Sequence, residues 1–135
     1  MKKDIPIKKV KDLAIAIIPR PALPDEEELW DVYLINMQEE AILNVLVRSQ
    51  GYDAQEGAER RTTVLRHFFD EIDAKAVQQV EPIHQSLFAL TNEYWVSFTQ
   101  GDYMYDKKYV FVKGSIDSQH FTLIPLVNRD GIMIR

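Results

Sequence analysis

The sequence predicts an all-β fold, an antiparallel β-sandwich of about seven to nine short strands. Two stretches and one spacing carry that expectation. Across residues 29–47 apolar residues recur at every second position: Trp30, Val32 and Leu34 share one side of a first strand, and Leu43, Val45 and Val47 share one side of a second. That period marks a half-buried strand, and two such strands joined by a short polar turn pair antiparallel. A second hairpin runs through residues 94–99 and 103–112, where Gln100-Gly101-Asp102 makes the turn and Gly101 supplies the positive φ it needs. Turn-forming residues punctuate the chain about every 8–12 residues, the spacing of sandwich strands.

Taken in order, residues 1–9 form a basic lead-in with Lys2, Lys3, Lys8 and Lys9. Residues 10–18 read as a first strand, with Leu13, Ile15 and Ile17 on one face and Ala14 and Ala16 on the other. Pro19, Pro21 and Pro24 interrupt any ladder, and with the acidic run Asp25-Glu26-Glu27-Glu28 they predict an exposed connection. The central pair follows, residues 29–36 and 42–49. Residues 51–61 are polar, contain Gly51 and Gly57, and read as a loop.

Residues 62–73 are ambiguous. Val64, Leu65, Phe68, Phe69 and Ile72 fit one face of an amphipathic helix, which gives an α+β alternative. Thr62, Thr63, Val64 and the two phenylalanines favour a strand, as do the strand-like neighbours, and a strand is the expectation. Residues 76–83 read as another extended segment, and residues 85–92 as a loop or a single helical turn. In the second hairpin Tyr94, Val96 and Phe98 form one face, Tyr109 and Phe111 join the same core, and Lys113-Gly114 ends the strand. In the tail, Leu123-Ile124 and Ile132-Met133-Ile134 flank Asn128-Arg129-Asp130-Gly131, and the Asp-Gly pair predicts a hairpin turn there. With no internal repeat, low-complexity tract or Gly/Ser linker, residues 1–135 read as a single domain.

Composition narrows the function classes. The 135 residues are 46% hydrophobic and 27% charged, ordinary for a globular domain. A net charge of -5 argues against a general nucleic-acid binder, which needs a basic surface. There is no cysteine, so disulfides, thiolate metal sites and thiol nucleophiles are excluded. The apolar run at residues 13–18 is too short for a signal-peptide core, and nothing approaches the ~20 apolar residues of a membrane span. A soluble, cytoplasmic protein with no membrane partner is expected.

Local chemistry is sparse. His67, His84 and His120 are too far apart in the chain for a local zinc motif. The acidic run at residues 25–28 lacks EF-hand spacing. No G-x-S-x-G, P-loop or G-x-G-x-x-G appears, so neither a catalytic residue nor a cofactor is expected. Two groups stand out. Arg60, Arg61, Arg66 and His67 form the densest basic cluster, suited to a phosphate or carboxylate, or else to pairing with Asp70, Glu71 and Asp73 on a solvated strand face. Trp95 and either Tyr103 or Tyr105 face away from the core side of their hairpin and make a candidate contact surface, the alternative being cross-strand pairing within the sheet. Lys107 and Lys108 read as protection for an edge strand.

The run Trp30-Asp-Val-Tyr-Leu-Ile-Asn36 followed by Leu43-Asn-Val-Leu-Val47 resembles bacterial immunoglobulin-like modules, and Thr63-Val-Leu-Arg, Ile72-Asp-Ala-Lys and Val80-Glu-Pro-Ile83 look like their later strand, corner and strand. The likeness covers roughly residues 29–112 and implies an immunoglobulin-like sandwich. The whole chain is also similar to a group of small bacterial proteins, through Leu65-Arg-His-Phe68, Asn92-Glu-Tyr-Trp-Val-Ser97 and Tyr105-Asp-Lys-Lys-Tyr-Val-Phe111. Some of these bear the label phenylalanyl-tRNA synthetase subunit, although a class II synthetase core needs a much longer chain and its ATP-holding arginine motifs are not visible here. That group implies no catalytic residues. The resulting expectation is a non-enzymatic module that binds another protein or itself, with a homodimer as one form. The alternatives are a small-ligand or enzymatic site built from loops near Arg60, Arg61 and His67, and a translation-linked accessory protein.

Overall fold

Alternation at every second residue becomes two antiparallel sheets. A computed structural model of the chain describes residues 8–21, 28–53 and 61–135. Among them are β1 (Leu13–Pro19), β2 (Leu29–Asn36), β3 (Ile42–Tyr52), β4 (Leu65–Ile72), β5 (Ala76–His84), β6 (Thr91–Gln100), β7 (Tyr103–Phe111), β8 (Thr122–Ile124) and β9 (Arg129–Ile134), with short 3₁₀ turns at Gln85–Ala89 and Ser118–His120. One sheet has the order β5-β2-β1-β9-β8 and the other β4-β3-β6-β7, so the fold is an all-β sandwich. Among the described residues no helix is long and apolar enough to cross a membrane.

The main core lies between the sheets. Leu13, Ile15 and Ile17 of β1 and Val32 and Leu34 of β2 meet Val45, Val47, Tyr94, Val96, Phe98, Tyr109 and Phe111 from the facing sheet. Trp30 is half-buried at one end, edge-on to Phe88 and Phe121. The Tyr109 hydroxyl donates to the carbonyl of Leu13 across the interior at 2.8 Å. On edge strand β7, Lys107 sits opposite inward-facing Val96, with its ammonium 5.1 Å from the Tyr109 ring centroid. An inward-pointing charge of this kind discourages edge-to-edge pairing.

Residues 65–72 are strand, not helix. They pair with β3 from Ile42↔Ile72 to Ser49↔Leu65, and Phe69 packs on the core while Phe68 points out. The inner face of β3 departs from simple alternation. Leu43 is 39% exposed, whereas Ile42 is fully buried. Asn44, at φ 52°, lies in a bulge where the β3–β6 register shifts, and its side chain donates to the Thr99 hydroxyl at 2.9 Å. The extra residue hands the core position from Leu43 to Ile42, and β4 follows with Ile72.

Both faces of β1 are buried. Ala14, Ala16 and Ile18 form a second small cluster with Ile35 and Ile124, flanked by Val127 and Met133. The β8–β9 hairpin supplies this cover. The first half of β9 pairs with β8 and the second half with β1. The hairpin turn falls at residues 125–128, with positive φ at Leu126 and Asn128, and not at Asp130-Gly131 as the dipeptide suggests. Gly131 lies within β9 because the chain there presses on β1: a Cβ would stand 2.7 Å from the Ile17 carbonyl oxygen.

Candidate functional site

The outer face of the β4-β3-β6-β7 sheet carries a mixed aromatic and basic surface. The register aligns Arg66, Arg48, Trp95 and Lys108 in one row across all four strands. The Arg48 guanidinium and the Lys108 ammonium lie 5.0 and 5.2 Å from the Trp95 ring centroid. Both are within cation–π range. The next row is Phe68, Leu46, Ser97 and Asp106. Phe68 is 59% exposed and Trp95 37%. Leu46, Arg48, Trp95, Ser97 and Asp106 enclose a shallow depression of about 240 Å³. Lys108 pairs with Glu93 at 3.4 Å, and Glu93 also accepts from the Gln50 amide at 3.0 Å. Arg48 and Arg66 have no carboxylate partner among the described residues.

The second feature is a cleft of about 270 Å³ at one end of the sandwich, between β3, β5 and β6. Glu81 reaches into it from β5, its side chain only 10% exposed. The Ser49 hydroxyl donates to Glu81 Oε1 at 2.7 Å, and His67 Nε2 meets the same oxygen at 2.8 Å. Residues of both sheets therefore converge on one carboxylate. In a serine-hydrolase triad the imidazole stands between hydroxyl and acid. Here the carboxylate stands between hydroxyl and imidazole, so the arrangement is not that triad and links the two sheets. Tyr94 and Asn92, both buried, line the same cleft with Leu65, Ile83 and Leu87. Burial pushes the Tyr94 phenol up from its ordinary pKa, and the Glu81 charge adds to the rise. Among the described residues, no group of three or more histidine, aspartate and glutamate side chains is placed to hold a metal ion.

No known family, curated protein or solved structure matches this chain.

The residues singled out from sequence scatter. Arg60 lies outside the described residues. Arg61 forms an isolated bridge opposite Tyr52 at the exposed start of the next segment. Arg66 and His67 are neighbours in β4 and so point to opposite faces, Arg66 to the basic row and His67 inward to Glu81. Trp95 is on the outer face as expected. Tyr103 is exposed at the end of β7, where the Lys8 ammonium stands 4.2 Å from its ring centroid. Tyr105 turns inward, parallel to Phe98 with centroids 4.9 Å apart. Its pairing with an inward phenylalanine fixes that direction. Sequence reading missed Arg48, Ser49 and Glu81. Alternation from Val45 and Val47 was the available signal for an inward Ser49, but nothing local ties it to Glu81.

Proposed function

We propose that the protein is a non-enzymatic, cytoplasmic interaction module of immunoglobulin-like architecture. It docks a partner protein on the outer face of the β4-β3-β6-β7 sheet. The observation that carries this reading is the asymmetry between the two outer faces. One is covered in its middle by the chain's own β8–β9 hairpin over Ala14, Ala16 and Ile18, with Val77 and Leu123 of that sheet left exposed singly. The other leaves Phe68, Leu46 and Trp95 in solvent beside two guanidiniums that have no carboxylate partner among the described residues. Exposed aromatics and arginine are the residue types enriched at protein contacts. Arg48 and Arg66 stand directly opposite each other on adjacent strands. Like charges so placed repel, and a partner's carboxylate relieves that repulsion. The partner surface is accordingly acidic around an apolar centre.

The strand order supports the immunoglobulin-like part of the reading. β5-β2-β1 follows the order E-B-A, and β4-β3-β6-β7 follows C′-C-F-G. The lack of cysteine is compatible with a cytosolic location.

The test is affinity capture from host extract with cross-linking to locate the contact. Wild type is compared with Phe68→Glu, with Arg48→Glu/Arg66→Glu, and with Leu123→Ala on the opposite sheet. Cross-links through the basic row, lost in the first two variants and kept in the third, support the reading. Capture indifferent to those changes overturns it. Light scattering on the purified protein shows whether the partner is a second copy.

A further inference from the structure

The end cleft has features that the docking face does not explain. Three oxygen atoms in its wall accept no hydrogen bond from the described residues: Glu81 Oε2, Tyr94 Oη and Asn92 Oδ1. Glu81 spends Oε1 on Ser49 and His67. Asn92 uses its Nδ2 on the carbonyls of Leu87 at 2.9 Å and Leu90 at 3.2 Å, which fixes which end of the amide is oxygen. Tyr94 is 1% exposed and Asn92 4%, yet neither has a fully enclosed polar atom without a partner, so their remaining oxygens open into the cleft they line. Residues this deeply buried normally satisfy their polar atoms within the protein.

The rest of the wall fits the same purpose. Leu65, Ile83 and Leu87 give it an apolar side. Gly51 lines the cleft, and a Cβ there would stand 3.0 Å from Asn92 Oδ1. Glycine therefore keeps that oxygen uncovered. At the ~30 Å³ that a water occupies in the liquid, the space holds about nine waters or one small organic molecule. Small apolar pockets with a few convergent polar groups are the usual form of a ligand site.

We propose that this cleft binds a small primary amine, its ammonium held by Glu81, Tyr94 and Asn92 and its hydrocarbon body against Leu65, Ile83 and Leu87. An ammonium carries three donors and no acceptor, which matches three acceptor oxygens of which one is anionic. A calcium ion needs six or more oxygens, and a carboxylate ligand would be repelled by Glu81. A phenol is protonated at neutral pH already, and burial raises Tyr94 further, so it adds no second negative charge.

The experiment is a titration of the full chain followed by amide resonances in two-dimensional NMR, with n-butylammonium as probe and butanol and butyrate as controls. Butylammonium should give saturable shifts at Gly51, Thr62 and Asn92, and butyrate none. Glu81→Gln should weaken binding by about tenfold or more, the size of one charge-assisted contact. Gly51→Ala should block it, and Leu123→Ala should leave it unchanged. If Glu81→Gln does not fold, Tyr94→Phe and Gly51→Ala decide. Butanol binding as tightly as butylammonium, shifts that map elsewhere, or wild-type affinity in a folded Glu81→Gln, Tyr94→Phe or Gly51→Ala variant would each overturn the proposal. None of these outcomes bears on the outer sheet face, so the two readings fail separately.

Discussion

Asn36 ends β2 fully buried, and both ends of its side-chain amide are hydrogen-bonded. Nδ2 donates to the carbonyls of Glu40 and Asp73, each at 3.0 Å, and Oδ1 accepts from the Gln38 amide at 3.0 Å. One amide thus ties the β2–β3 turn to the corner between β4 and β5. Asn36→Ala strands these backbone groups in a partly buried place, and the expected cost is about 2–3 kcal/mol in a urea denaturation. A change below ~0.5 kcal/mol would mean that water replaces the amide freely. At this scale the sequence was readable wherever period two holds without interruption. Trp30, Val32 and Leu34 face the core as the alternation requires. The same rule separates Arg66 from His67, which chain proximity had grouped. It failed at Leu43, because a bulge on Asn44 depends on the register with β6, and no local residue encodes that register.

The β8–β9 hairpin is the element that least resembles its sequence. Asp130-Gly131 looks like a turn, yet Gly131 serves close packing on β1. The small side chains of Ala14 and Ala16 let the hairpin approach β1, and the chain closes one face of its own sheet with fifteen C-terminal residues or fewer. Gly131→Ala puts a methyl group 2.7 Å from the Ile17 carbonyl oxygen and 2.8 Å from Ile18 Cγ1. A backbone atom cannot rotate aside, so β9 must lift from β1. The expected loss is about 1–3 kcal/mol, with faster amide exchange confined first to β8, β9 and the facing part of β1. Uniform exchange across both sheets would show instead that the hairpin is not a separately opening unit. The reading of β4 as strand succeeded for a related reason: its β-branched entry and its strand neighbours outweighed a helical spacing that involved only five residues.

For the whole molecule, the two sheets are held by a continuous apolar layer and by a few polar links, Ser49–Glu81–His67 at one end and Tyr109 to Leu13 within the interior. Sandwich architecture was legible because it follows from local periodicity repeated many times. The cleft was not, because its polar wall joins Gly51, Glu81, Asn92 and Tyr94, which only the stacking of one sheet on the other assembles. That stacking makes an alkaline limit to stability. Burial raises both Tyr94 and Tyr109 above the ordinary value of 10.0, with the Glu81 charge adding to Tyr94. A raised folded pKa contributes stability that is intact below the unfolded value. Above about pH 10 the unfolded chain releases these protons while the folded chain retains them, so the unfolded state gains. The loss is about 1.4 kcal/mol per pH unit for each tyrosine, and it continues until the folded state also ionises. Urea midpoints should therefore hold steady from about pH 7 to 9 and fall steeply above about pH 10. Tyrosinate absorbance should show a late-titrating class that appears only as the protein unfolds. Tyr109→Phe should be less stable at neutral pH, having lost its bond to Leu13, but should decline more gently in alkali. Equal slopes for wild type and Tyr109→Phe would show that the buried phenols do not set the limit.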